Sequence, residues 1–115
     1  MASAGIGEIS RLVSEFVRER NWEKFHNPKD LAIAISVEAA ELLELFQWSG
    51  KEGHDAPSKE EKARIAEELA DVIIYSMSMA NALNIDLSQA IKNKIEANKN
   101  KYPTDKWKDV KEWRK

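Results

Sequence analysis

Residues 31–46 read LAIAISVEAAELLELF, a run of helix-forming residues that holds three glutamates, Glu38, Glu41 and Glu44, and neither lysine nor arginine. A helix this apolar on nearly every side calls for cover, and carboxylates carried into such a setting are costly unless something cationic meets them. No cation comes from the stretch itself. A second acidic pair, Glu68 and Asp71, sits in EELADVIIYSMSMANAL, with Asp71 followed directly by Val72, Ile73 and Ile74. Residues three apart on a helix lie on one face a turn apart, so Glu38/Glu41 and Glu68/Asp71 each present two carboxylates side by side.

Working outward, Asn27-Pro28-Lys29-Asp30 is a helix start, with Asn as the cap, Pro at the first helical position and an acid in the first turn. This second helix is expected to run from about Pro28 to about Trp48. Gly50, Gly53 and Pro57 interrupt the pattern, and Ser58-x-x-Glu61 is a capping box that opens a third helix ending near Asn84. Residues 7–20 set Ile9, Leu12, Val13, Phe16 and Val17 at helical spacing with Arg11, Arg18 and Glu19 outside, an amphipathic first helix. Asn21 to Asn27 reads as a loop of aromatic and polar groups. Asp86-x-x-Gln89 starts a fourth helix that runs to about Lys101, where Tyr102-Pro103 stops it. No strand-like alternation and no repeat is present, so the fold class expected is all-α: one domain over 1–115, with its core at about 8–103 and a polar tail at 104–115. The stripe of Met77, Met79 and Leu83 reads as core or oligomer contact.

The two acidic pairs should converge. Glu41 lies seven residues before the end of the second helix and Glu68 nine after the start of the third, so at 1.5 Å per residue an antiparallel hairpin sets both pairs roughly 10 to 14 Å from the connection. Four carboxylates at one level repel unless a metal binds. Oxygen donors without His or Cys suit Mg²⁺, with Mn²⁺ as a substitute, and Mg²⁺ recruits phosphate oxygens to complete its octahedron. The competing reading pairs these acids with Lys or Arg from other helices, or has them line a polar seam in a bundle. A di-iron bundle needs Glu-x-x-His on two helices, and here His26 and His54 both fall in loops.

Composition narrows the remaining choices. The 115 residues carry a formal net charge of −2, against a broad basic surface for nucleic acid, and no cysteine, which removes disulfides, thiol catalysis and Cys-ligated metal. The longest uncharged run, Val72 to Ile85, is short of the roughly 20 residues a membrane span needs, and the N-terminus lacks a basic region and an apolar signal core. A cytoplasmic protein that neither crosses a membrane nor binds nucleic acid is expected, and long helices on so short a chain point to association.

Glu38-x-x-Glu41 followed by Glu68-x-x-Asp71 resembles the EXXE…EXXD signature of the MazG-like all-α nucleoside triphosphate pyrophosphohydrolases. The flanking words FHNPKDLAIAISVEAAELLELFQW, EELADVIIY and KIEANKNKYP resemble the dCTP pyrophosphatase branch in particular. The resemblance covers about residues 8–103. It implies a four-helix core completed by homo-oligomerisation, as a dimer or tetramer, and Mg²⁺-dependent hydrolysis of a nucleoside triphosphate, dCTP or a modified dNTP, to monophosphate and pyrophosphate. Glu38, Glu41, Glu68 and Asp71 are then the metal ligands and catalytic acids, one of which also orients the attacking water. It further implies that Trp22, His26, Trp48 and Tyr75 form the nucleobase and sugar pocket, and that Lys94, Asn98 and Tyr102 face the triphosphate. Phe25 reads equally as pocket or core, Glu44 as a neighbour of the site or as surface, and the 49–57 loop as lid or connector. Two other functions stay open: a non-catalytic helical module whose acidic groove binds a basic partner, and a related enzyme acting on dUTP or a phosphoribosyl intermediate.

Overall fold

The computed structural model describes residues 5–47 and 56–108. Its elements are α1 (Ile6–Glu19), a 3-10 turn (Glu23–Phe25), α2 (Pro28–Gln47), α3 (Lys59–Ala82), α4 (Leu87–Lys101) and α5 (Thr104–Trp107), with no strand among the described residues. The all-α expectation holds. The chain forms two compact units, Met1–Ile85 and Asp86–Lys115.

In the first unit, α2 and α3 pack along each other as a hairpin, and α1 packs on α3. Local chemistry sets the ends. The Asn27 side chain accepts from the backbone N–H of Asp30 at 2.9 Å and donates to the Asp30 carboxylate at 2.7 Å, fixing the start of α2. At α3 the capping box closes in both directions: the Glu61 N–H donates to Ser58 Oγ at 3.1 Å and the Ser58 N–H to the Glu61 carboxylate at 2.9 Å. Two helices end on asparagine in the left-handed region. After α1, Asn21 has φ 56°, and the N–H groups of Asn21 and Trp22 donate to the carbonyls of Arg18 and Val17. After α3, Asn84 has φ 54°, while Ile85 donates to Ala80. These are Schellman-type ends, which a short polar side chain tolerates better than most residues.

Val13 and Val17 of α1, Leu31 of α2, and Met77 and Ala80 of α3 form the buried core, with Ser78 as the one buried polar residue among those described. A polar clamp ties α1 to α3: Ser10 Oγ donates to Asn81 Oδ1 at 2.8 Å, and Asn81 Nδ2 donates to the Ser10 carbonyl at 3.2 Å. Met77 thus meets the core expectation, Met79 is half-buried and Leu83 is exposed.

Two expectations need correction. The apolar α2 is not buried within the single chain: Ile33, Val37, Leu43 and Phe46 are all exposed, and Leu31 alone is buried. One hairpin and one flanking helix provide too little surface to wrap a helix that is apolar all round. Leu12 and Phe16, assigned to the inner face of α1, are likewise about half exposed. Beyond α4, whose C-cap is Tyr102, Pro103 stands at the N-cap of the short α5. There Tyr102 and Trp107 meet edge to face at 5.1 Å.

In the second unit, Asp86 caps α4 by accepting from the Gln89 N–H at 3.0 Å. This is the start expected from the sequence. Among the described residues, no helix is long and apolar enough to cross a membrane.

Candidate metal centre

The middle of the α2–α3 hairpin brings three of the four anticipated acids together. Glu38, Glu41 and Glu68 each offer a carboxylate oxygen, and the three atoms lie within 4.8 Å of one another. Glu38 and Glu68 are half-buried and Glu41 is exposed. Asp71, one turn beyond Glu68 and half-buried, is outside this tight group but close enough for its charge to act on both Glu38 and Glu68.

The electrostatics follow from the crowding. Burial pushes the Glu38 carboxyl above the usual carboxylate range, and the adjacent Glu41, by hydrogen bonding and by charge, pushes it further, with Asp71 and Glu68 adding to the effect. Glu68 is raised in the same way, first by burial and then by Glu41 and Asp71. Oε2 of Glu38 and Oε2 of Glu68 are both buried without a hydrogen-bond partner. No lysine or arginine pairs with any of the three acids among the described residues. A polar seam or a structural ion pair would have satisfied those oxygens. A hard divalent cation would accept them, and the all-oxygen donor set fits Mg²⁺ or Mn²⁺.

The remaining anticipated residues are distributed as follows. Trp22 follows α1 and is 44% exposed, and His26 closes the 3-10 turn, half-buried, with its backbone N–H on the Glu23 carbonyl at 3.0 Å. Phe25, 61% exposed, is not core. Tyr75 stands half-buried one turn along α3 from Asp71. Trp48 and most of the 49–57 loop lie outside the described residues. Lys94, Asn98 and Tyr102 belong to the second unit, where they recur every four residues along α4 to its C-cap; Lys94 is exposed, and the Asn98 carbonyl accepts from the Tyr102 N–H at 2.8 Å.

One arrangement escaped the sequence reading. The Arg20 guanidinium lies over the Phe16 ring at 3.8 Å from its centroid, and Phe16 meets Trp22 edge to face at 5.7 Å. The available signal was the four-residue spacing from Phe16 on α1 to Arg20 at its C-cap, which brings the two side chains together.

An all-α hairpin that converges carboxylates with no basic partner on one point is a helical scaffold that could hold a divalent cation. Comparison with known proteins makes this specific. The MazG-like family matches residues 33–115, and the chain belongs to it. It is 44% identical over 98 residues to dCTP pyrophosphatase 1 of Bos taurus and 43% identical to that of Homo sapiens, in each case over 84% of this chain and 58% of the relative. The chain thus spans rather more than half the length of these relatives. Among solved structures, a pyrophosphatase from Archaeoglobus fulgidus superposes with a TM-score of 0.70 at 37% identity, covering 90% of this chain and 96% of that one.

Proposed function

We propose that this chain is a nucleotide pyrophosphohydrolase that cleaves a nucleoside triphosphate, dCTP or a modified dNTP, to the monophosphate and pyrophosphate. The observation that carries this reading is the buried, partnerless Oε2 atom on each of Glu38 and Glu68, two acids that bring a carboxylate oxygen within 4.8 Å of each other and of Glu41. The names of the relatives supply the substrate class.

In this reading Glu38, Glu41, Glu68 and Asp71 hold Mg²⁺, for which Mn²⁺ can substitute. The ion's contribution, when bound, is to neutralise charge on the triphosphate and on the departing pyrophosphate. Glu41, the most exposed of the tight group, is the acid best reached by water from outside, and its carboxylate can accept a proton from a water aimed at the α-phosphorus. Trp22 and His26, with Trp48 and Tyr75, would receive the base and sugar, and Lys94, Asn98 and Tyr102 the phosphates. The exposed apolar faces of α2 and α3 support self-association, as a homodimer or homotetramer. The free nucleotide pool would set the work in the cytoplasm, apart from nucleic acid and membrane.

The test is a panel of canonical and modified nucleotides with Mg²⁺, separating pyrophosphate from orthophosphate. Pyrophosphate from dCTP or a modified dNTP is the expected product. Orthophosphate alone would reject the mechanism, and dUTP as the preferred substrate would correct the specificity. Binding of a basic partner without turnover of any nucleotide would favour a non-catalytic module.

A further inference from the structure

Trp22 is held by more than its own burial. Its N–H donates to the Val17 carbonyl at 3.0 Å, its carbonyl accepts from Phe25 at 2.9 Å, and the preceding Asn21 is locked at φ 56°. The backbone at this point is therefore fixed from both sides. The indole, by contrast, is 44% exposed, and it meets the Phe16 ring edge to face, 5.7 Å away with the ring planes at 77°.

Phe16 is itself 45% exposed, so packing alone does not pin its ring. Arg20 supplies the restraint. Its guanidinium carbon lies over the ring, 3.8 Å from the Phe16 centroid, and its Nη1 donates to the Phe16 carbonyl at 3.1 Å, fixing one end of the side chain above the ring. No carboxylate pairs with Arg20 among the described residues.

We infer that Arg20 and Phe16 are positioning residues for the nucleobase pocket: the stack of guanidinium on phenyl, with the phenyl against the indole, holds Trp22 at one angle and leaves an indole surface free to take a base. The inference rests on the assignment of Trp22 to that pocket. A stacking platform recovers more of its contact energy when its rotamer is set beforehand, because less side-chain freedom is lost on binding. The effect should therefore appear in substrate capture and not in the bond-breaking step.

Steady-state kinetics on dCTP with Arg20→Ala, Phe16→Leu, the double variant, Arg20→Lys and Trp22→Ala tests this, alongside 19F NMR of protein labelled with 5-fluorotryptophan, in which Trp22→Phe identifies the Trp22 line. Arg20→Ala is expected to raise KM about five- to tenfold with kcat within twofold, and to shift or broaden the Trp22 line. The double variant should be no worse than Phe16→Leu alone, since the two act as one unit. Arg20→Lys should recover part of the KM, because an ammonium can still sit over the ring. A raised KM in Trp22→Ala with an unchanged KM in Arg20→Ala would overturn the inference and spare the pocket. Equal losses in kcat and thermal stability, with no selective rise in KM, would also overturn it by showing a structural role. An unchanged KM in Trp22→Ala would remove the pocket assignment, and failure of the unaltered chain to turn over dCTP would remove the proposed function; the inference falls with either.

Discussion

Glu38 and Glu68 each keep one carboxylate oxygen away from water and away from any donor, next to a third acid that repels both. Glu38→Gln keeps the shape and removes the charge. Pyrophosphate release should fall by at least about a hundredfold, as expected when a group that stabilises transition-state charge is lost, while the melting temperature measured in a chelator stays level or rises. Collapse of the fold would instead mark Glu38 as a structural partner. The raised titration of both acids also sets the sign of a pH effect. A carboxyl whose folded value lies above its unfolded one stabilises the fold while protonated, so stability of the metal-free protein is fully present below the ordinary value of 4.5 and is lost as pH rises through the elevated folded values. Melts in chelator should decline across that window, and saturating Mg²⁺ should flatten or reverse the decline; a flat profile in chelator would show that the acids are not strained. The acid pairs were legible in the sequence because i,i+3 spacing is fixed by helix geometry. The Arg20–Phe16–Trp22 stack was not, because periodicity assigned Phe16 to an inner face that the structure leaves half open.

At the scale of elements, helix starts were the best-read features. Asn27, Ser58 and Asp86 all cap as their side-chain chemistry demands, since a short acceptor three residues before an N–H has little else to do. Ser58→Ala should cost about 1 kcal/mol, read as a melting-temperature drop of about 4 °C; no change would mean that the Ser58–Glu61 box adds nothing to α3. The helix ends were harder. Asn21 and Asn84 take the left-handed conformation, but an asparagine that does so is indistinguishable in sequence from any surface asparagine. Glycine adopts that conformation without steric penalty, so Asn84→Gly should be neutral or slightly stabilising and Asn84→Val clearly destabilising in the same melts. Equal stability of the two variants would show that the α3 end does not depend on that backbone angle.

For the molecule as a whole, the sequence announces apolar faces and is silent about what covers them, because periodicity records which residues share a side and nothing about the neighbour. Ile33 and Val37 on α2, and Leu69 and Ile73 on α3, each stand one turn apart and each remain exposed. Sedimentation should give a mass that is a multiple of 13.1 kDa, and Ile33→Glu should shift it toward that of one chain; a single-chain mass for the unaltered protein would leave those faces without a copy to cover them. Should a second copy of the chain cover the exposed face of α2, part of the fold's thermodynamic anchoring passes to mass action. Dilution then becomes a denaturant: melting points recorded at micromolar protein should exceed those at nanomolar protein, and assays run at trace enzyme should lose rate per molecule as the sample thins.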